Sequence, residues 1–196
     1  MHRRGHHFAP LTLLAAFVVP GPAAADPVRA ADPPAEAAQP SAAATEAAAL
    51  LPEGRAPLPG VITGGQPDAG QLAALAEAGY RTVVDLRSAA EPYPREEEAT
   101  ALESLGVAYI SIPVSGAEGL SRENARAIAA VLADEEAYPL AIHCGSGNRV
   151  GALLALAAAW VDGLPPEAAL ALGLDAGLTG LEPKVRELLG LRDTPP

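Results

Sequence analysis

The chain has 196 residues, a length that suits one folded domain with terminal extensions. Hydrophobic residues make up 49% of it, enough for a core, while the formal net charge is −11 and Lys184 is the only lysine. This balance argues against binding to nucleic acid or to an anionic membrane surface, because both require clustered lysine and arginine.

The N-terminus has the three parts of a secretory signal peptide. A basic start at Arg3 and Arg4 precedes an apolar run over residues 8–19, and small residues at 23–25 offer a cleavage site. The apolar run is too short to span a bilayer. The sequence therefore predicts that residues 1–25 direct export to the periplasm or the medium and are then removed, which leaves no stable membrane insertion.

Residues 26–49 are rich in Ala, Pro and Glu and hold no bulky apolar residue after Val28. This composition is typical of a disordered tether, so the folded domain is expected over residues 50–192. There, strand-like runs alternate with helical periodicity, and strands are predicted at residues 61–63, 82–86, 108–112 and 140–143. The alternation predicts an α/β fold with a mostly parallel central sheet flanked by helices.

Helices are expected between and after these strands, the longest being an apolar helix over residues 150–161. The helix over residues 95–105 begins with an acidic run, Glu96, Glu97 and Glu98, which is expected to form a solvated face. Four histidines, three of them in the N-terminal segment, lack the spacing of a zinc site, and neither a metal nor another cofactor is predicted.

The strand over residues 140–143 runs directly into the segment His143-Cys144-Gly145-Ser146-Gly147-Asn148-Arg149, and a helix follows. A helix N-terminus offers unpaired N–H groups and partial positive charge, and glycines allow further N–H groups to turn inward. Arg149 adds a planar fork suited to an oxyanion. We therefore expect an anion-binding loop formed by Gly145, Ser146, Gly147 and Asn148.

Cys144 is the only cysteine, so it has no partner for an intramolecular disulfide. At the mouth of such a loop its thiolate is stabilised, which predicts a catalytic nucleophile that acts together with Arg149. The alternative is an inert buried cysteine beside a tight turn, which leaves the sequence Gly-Ser-Gly-Asn-Arg unexplained.

The segment from His143 to Gly151 resembles the active-site loop of the beta-lactamase-hydrolase-like, phosphatase-like family. By fold that family belongs to the cysteine-dependent tyrosine and dual-specificity phosphatase superfamily. Residues 63–67, 79–87 and 112–114 agree with the resemblance, which covers about residues 58–160. The resemblance implies a phosphatase-like three-layer fold and a substrate that is a small phosphate ester or a phosphoprotein.

The loop differs from a tyrosine phosphatase in its length. Five residues separate cysteine from arginine in those enzymes, whereas four, Gly145 to Asn148, separate them here, and Val150 occupies the phosphatase arginine position. Four is the spacing of rhodaneses, which transfer sulfur through a cysteine persulfide. A sulfurtransferase acting on a sulfur-bearing substrate is therefore the second hypothesis, and a non-catalytic anion-binding or partner-binding module is the third.

The resemblance also implies a general acid, an aspartate in a loop after a strand, but residues 113–119 contain none. Glu118 is the candidate in that loop, with an ordinary solvated carboxylate as the alternative. Strand alternation predicts that His143 faces away from Cys144 and orders the loop. Asp85 and Arg87 end the second predicted strand and are expected to form an ion pair or brace beside the loop.

Overall fold

The computed structural model describes residues 42–93 and 95–191. Within these ranges the chain forms five strands and seven α-helices. In chain order the elements are α1 (Ala42–Ala48), β1 (Arg55–Leu58), β2 (Val61–Gly64), α2 (Ala69–Glu77), β3 (Thr82–Asp85), α3 (Arg95–Ser104), β4 (Ala108–Ser111), α4 (Arg122–Leu132), β5 (Leu140–His143), α5 (Asn148–Trp160), α6 (Pro166–Asp175) and α7 (Glu182–Leu189).

The strands form one sheet in the order β1-β2-β5-β3-β4. Only β1, at the edge, is antiparallel to its neighbour, and the other three pairings are parallel. His143 pairs in register with Gly64 on one side and with Asp85 on the other. The carboxyl ends of β2, β5 and β3 therefore meet at one edge, where ligands bind in open parallel sheets.

Successive strand residues point to opposite faces of the sheet, and each face has its own core. Val84 and Ile142 pack in a cluster with α4, α5, α6 and α7. Val83 and Ala141 pack on the other face with the buried leucines of α2 and α3, Leu72, Leu75 and Leu102. The result is the three-layer α/β arrangement that the sequence predicted.

The most buried helix is α5, with nine consecutive buried residues from Val150 to Ala158. It approaches the segment around α6 so closely that a Cβ on Gly151 would lie 2.2 Å from the backbone nitrogen of Leu178. At its far end, the guanidinium of Arg122 from α4 lies 4.7 Å from the centre of the Trp160 ring. No helix within residues 42–93 and 95–191 is long and apolar enough to cross a membrane.

A helix lies before the predicted start of the folded domain at residue 50. Helix α1 lies inside the expected tether, with Ala48 buried, so the prediction of disorder is wrong for residues 42–48. Alanine is the strongest helix former and packs without a bulky side chain, which explains why a search for large apolar residues missed this helix. The predicted signal peptide and residues 26–41 lie outside the described residues.

Strand β1 was also missed. It contains Pro57, which removes a backbone donor and is tolerated only where a strand lies at a sheet edge. The edge position of β1, beside β2 alone, is therefore the position that its sequence allows.

Candidate active site

Cys144 follows β5 directly and is 1% exposed. Its backbone N–H donates to the carbonyl of Gly64 at 3.3 Å, and the next turn is fixed by an isolated bridge between Gly65 and Ser146. Gly147 has a φ of +82°, a conformation that favours glycine, and packs against Gly64. The loop that contains the cysteine is therefore held against the end of the neighbouring strand β2.

Helix α5 starts at Asn148, two residues earlier than predicted, so Asn148 and Arg149 belong to its first turn. The amide of Gly151 donates to the carbonyl of Gly147 at 3.0 Å, as the first bond of the helix. The N–H groups of Asn148, Arg149 and Val150 precede that bond and are the donors that a helix N-terminus offers to an anion.

The predicted loop residues differ in their contacts and in their exposure to solvent. The side-chain Oδ1 of Asn148 accepts hydrogen bonds from the backbone N–H groups of Thr179 and Leu181, at 2.9 and 3.2 Å. Asn148 therefore offers an anion its backbone N–H, while its side chain ties α5 to the start of α7. Ser146 and Gly145 are exposed at the mouth of the loop.

Arg149 is held by the loop that follows β3. Its Nη1 and Nη2 atoms donate to the two carboxylate oxygens of Glu91, at 2.6 and 2.7 Å. Nη1 also donates to the carbonyl of Val114, at 3.1 Å. These bonds use both N–H groups of Nη1 and one of Nη2. The remaining Nη2–H and the Nε–H form the second edge of the guanidinium, which has the right spacing for an oxyanion.

This second edge lies close to the cysteine loop. Nη2 is 3.4 Å from the position that a Cβ would take on Gly145. The hydrogen bonds that Arg149 donates to Glu91 raise the pKa of Arg149 against the opposing effect of burial, and charge and hydrogen-bond interactions with Cys144 raise it further. The same pairing with Arg149 lowers the pKa of Glu91 to about 2. Both partners are therefore ionised at neutral pH.

A buried polar network lies behind the loop, on the face of the sheet opposite Cys144. Arg87 donates to Asp85 from Nε at 2.8 Å and from Nη2 at 2.9 Å, with both side chains fully buried. Tyr109 donates to Asp85 at 2.8 Å. Burial raises the pKa of Asp85, but the hydrogen bonds from Arg87 together with the interactions of His143 and Tyr109 outweigh it and bring the value to about 2. Asp85 and Arg87 thus form the ion pair that the sequence predicted.

Glu98 is part of this network, so the prediction that it belongs to a solvated face is wrong. Its side chain is 5% exposed, it accepts a hydrogen bond from Arg87, and its Oε1 lies 2.8 Å from Nε2 of His143. His143 therefore points towards α3, while Cys144 packs on the α5 side, as strand alternation predicted. Glu96 and Glu97 are exposed.

Asp85, Glu98 and His143 also bring three donor atoms within 4.8 Å of one another. Arg87 already binds both carboxylates of this group, and its fixed positive charge occupies the place where a cation would be attracted. The donor set therefore fits an ion-pair network around an arginine better than it fits a metal ion.

Glu118, the candidate general acid, is exposed in the turn after Val114. Within the described residues no contact joins it to Cys144. The bond from Arg149 to the Val114 carbonyl nevertheless ties the start of this loop to the active site. Glu118 lies four residues further along, so its role stays a prediction.

Two residues of the site, Glu91 and Glu98, were not found from the sequence. For Glu98 a signal was present, because it lies one helical turn before Leu102, which is fully buried, and residues four apart share a helix face. For Glu91 there was none, because it lies in an irregular loop and reaches a partner 58 positions away.

One comparison with known proteins identifies a family. The family model for the dual-specificity and tyrosine phosphatase domain described as fused to NAD+ kinase matches residues 58–165. No curated protein matches the chain in sequence.

Solved structures with the same fold are distant in sequence. A putative phosphatase (DUF442) from Shewanella putrefaciens CN-32 is 20% identical with a TM-score of 0.56, over 71% of this chain and 89% of that one. The putative phosphatase nma1982 from Neisseria meningitidis Z2491 is also 20% identical with a TM-score of 0.56, over 67% and 93%. TpbA from P. aeruginosa is 21% identical with a TM-score of 0.52, over 69% and 82%.

Proposed function

The chain belongs to the dual-specificity and tyrosine phosphatase family, and on that premise we propose that it hydrolyses phosphate monoesters with Cys144 as the nucleophile. The observation that carries the proposal is the arrangement around Arg149. Glu91 and the Val114 carbonyl hold one edge of the guanidinium, and the other edge is left beside the cysteine loop. A small phosphate ester and a phosphoprotein are both substrates of this chemical class.

In the first step the Cys144 thiolate attacks phosphorus, and the bond from phosphorus to the leaving oxygen breaks. Glu118 gives its proton to that oxygen. The free edge of Arg149 and the N–H groups at the start of α5 stabilise the charge on the other phosphate oxygens. In the second step water attacks the phosphocysteine, its proton passes to Glu118, and the S–P bond breaks to release inorganic phosphate and the thiolate.

The test is hydrolysis of an aryl monophosphate by the purified chain, with release of inorganic phosphate measured directly. Cys144→Ser should abolish turnover, because a serine hydroxyl remains protonated at neutral pH. Mass spectrometry after rapid acid quench should find a phosphate on Cys144 of the wild type. Turnover that survives in Cys144→Ser would overturn the proposal.

Sulfur transfer is the second candidate, and the spacing of four residues between Cys144 and Arg149 is the observation that favours it. In that reaction the Cys144 thiolate attacks the outer sulfur of thiosulfate, releases sulfite and becomes a persulfide. Cyanide then takes the outer sulfur as thiocyanate and the thiolate returns. A stable persulfide without aryl phosphate hydrolysis would replace the first proposal by the second. Absence of both activities would favour a non-catalytic anion-binding module.

We also propose that the chain is exported to the periplasm or the medium. The support is the basic start, the apolar run and the small residues within residues 1–25. N-terminal sequencing of the protein recovered from the producing cells should find Asp26 as the first residue. A mature protein that still begins at Met1 would contradict export by this signal.

A further inference from the structure

Glu98 contacts three of the chain segments that surround the cysteine loop. Its Oε1 lies 2.8 Å from Nε2 of His143, the residue just before Cys144. Its Oε2 accepts from Nη2 of Arg87 and, at 3.2 Å, from the side-chain amide of Gln66. Because Glu98 itself lies on α3, one carboxylate joins a helix to the ends of three strands.

Those three strands are neighbours in the sheet. Gln66 lies two residues after β2, Arg87 two residues after β3, and His143 is the last residue of β5. The Gln66 segment also touches the loop directly, since its backbone N–H points to the carbonyl of Gly145 at 3.5 Å. Any change in the position of the Glu98 carboxylate therefore acts on both sides of Cys144.

A buried carboxylate is costly unless it is paired, and each oxygen of Glu98 lies beside a partner: Oε1 beside His143, and Oε2 beside Arg87 and Gln66. Burial raises the pKa of Glu98, but the interactions with His143, Arg87 and Gln66 outweigh it and lower the pKa. Among the described residues, the other ionisable groups that face this pocket are Asp85 on β3, Tyr109 on β4 and Arg95 on α3, with Tyr93 stacked on Arg87. Among the described residues neither ring nitrogen of His143 has a partner in hydrogen-bond geometry, so the ion-pair contact of Nε2 with Glu98 at 2.8 Å is the close polar contact that holds the imidazole.

We propose that Glu98 is a positioning residue that acts through His143 to hold the cysteine loop in the conformation that stabilises the Cys144 thiolate. His143 is adjacent to Cys144 in the chain, so a rotated imidazole shifts the start of the loop. The N–H groups at the start of α5, just after the loop, then take a different position relative to the sulfur, and the thiolate loses stabilisation. For its activity readout alone, this inference rests on the proposed phosphatase function.

The test compares Glu98→Gln with Glu97→Gln. Glu97 is the neighbour of Glu98 on α3 and is exposed, so its substitution removes the same charge from the same helical turn without touching the network. Iodoacetamide alkylation of Cys144, the only thiol in the chain, is followed against pH, and kcat and KM are measured with an aryl phosphate.

We expect Glu98→Gln to move the alkylation midpoint upward by about one pH unit, equivalent to about tenfold less thiolate below the midpoint. At a pH below the wild-type midpoint, the value of kcat should fall by about tenfold, because the step that needs the thiolate slows, while KM changes by less than about twofold. Glu97→Gln should match the wild type in all three quantities. A Glu98→Gln protein with a lower melting temperature but an unchanged midpoint and kcat would show a purely structural role and overturn the proposal.

If Glu98→Gln does not fold, His143→Asn tests the same contact between Glu98 and His143 from the other side. It should raise the midpoint in the same way, and the double variant should be no worse than either single one, because both changes break one pathway. Additive effects in the double variant would overturn the action through His143. If the wild type does not hydrolyse phosphate esters, the proposed function fails, while the alkylation midpoints still decide the role of Glu98.

Discussion

The guanidinium of Arg149 has two edges that can form paired hydrogen bonds, and Glu91 occupies one of them. Without such a partner, the long and flexible arginine side chain would lose conformational freedom each time a substrate bound. With Glu91 and the Val114 carbonyl in place, that freedom is lost when the protein folds. Binding energy from the phosphate is then available to stabilise the transition state.

Replacing Arg149 with Lys keeps the charge and removes the fork. An ammonium group cannot bind Glu91, the Val114 carbonyl and a phosphate edge in the same planar geometry. We expect kcat/KM for an aryl phosphate to fall by at least about tenfold, or about 1.4 kcal/mol of transition-state stabilisation. Steady-state kinetics check this, and an unchanged kcat/KM would show that the side chain does not contact the reacting group.

Glu118→Gln tests the general acid through the leaving group. A good leaving group such as nitrophenolate departs without a proton, whereas an alkoxide needs one. We therefore expect the substitution to reduce turnover of an alkyl phosphate by about a hundredfold and that of nitrophenyl phosphate far less. Glu123→Gln, on the first turn of α4, is the matched exposed control. Equal losses of turnover on both substrates would show that Glu118 is not the general acid.

At the scale of elements, the junction from β5 to α5 contains both Cys144 and Arg149, and both of its ends are fixed. The start is held by the bond from Cys144 to Gly64, and the far end by a helix whose residues are almost all buried. The length of the loop between them therefore sets where the sulfur lies relative to Arg149.

A glycine inserted between Gly147 and Asn148 would restore the spacing of tyrosine phosphatases. Because Arg149 is anchored to Glu91 and α5 to the core, we expect the extra residue to bulge the loop and reduce phosphatase turnover by more than about tenfold. A glycine inserted beside Gly163, in the exposed connection to α6, serves as the control for folding. A gain in phosphatase activity would instead show that the natural spacing favours sulfur over phosphate.

The parts of this structure that are local in sequence could be predicted, and those that depend on distant contacts could not. The change from a strand to glycines to an apolar helix is local, and it predicted that Cys144 and Arg149 lie together where β5 passes into α5. Strand alternation correctly assigned His143 and Cys144 to opposite faces. Glu91 contacts Arg149 only because its loop folds across the edge of the sheet, and the hydrophobic periodicity of the sequence does not indicate such a distant contact. The order of strands in the sheet likewise depends on crossovers that the sequence does not show.

At the scale of the whole molecule, stability at low pH depends on carboxylates that the fold keeps ionised. The pKa of Glu91 falls from 4.5 to about 2, and that of Asp85 from 3.8 to about 2. Carboxylates with lowered pKa values stabilise the folded state above their unfolded pKa, and this stabilisation is lost as the pH falls towards the folded value. The stability that they contribute should therefore decline from about pH 4.5 down to about pH 2.

Thermal unfolding followed at a series of pH values checks this expectation. The melting temperature should fall most steeply below about pH 4, and Glu91→Gln should make that fall shallower because one of the two groups no longer titrates. Glu97→Gln, which removes an exposed carboxylate, should reproduce the wild-type slope. A melting temperature that stays constant through this range would contradict the role of the two ion pairs.

Trp160 is the only tryptophan in the chain, and it lies at the opposite end of α5 from the anion-binding loop. A helix of 13 residues separates the two ends by about 20 Å, so a ligand at Cys144 does not touch the indole. Fluorescence excited at the indole band therefore reports on the packing of α4 against α5, where Arg122 covers the ring. The fluorescence should change on unfolding and stay constant when phosphate binds. A change on phosphate binding would show that α5 moves as a rigid body when its N-terminal end is occupied.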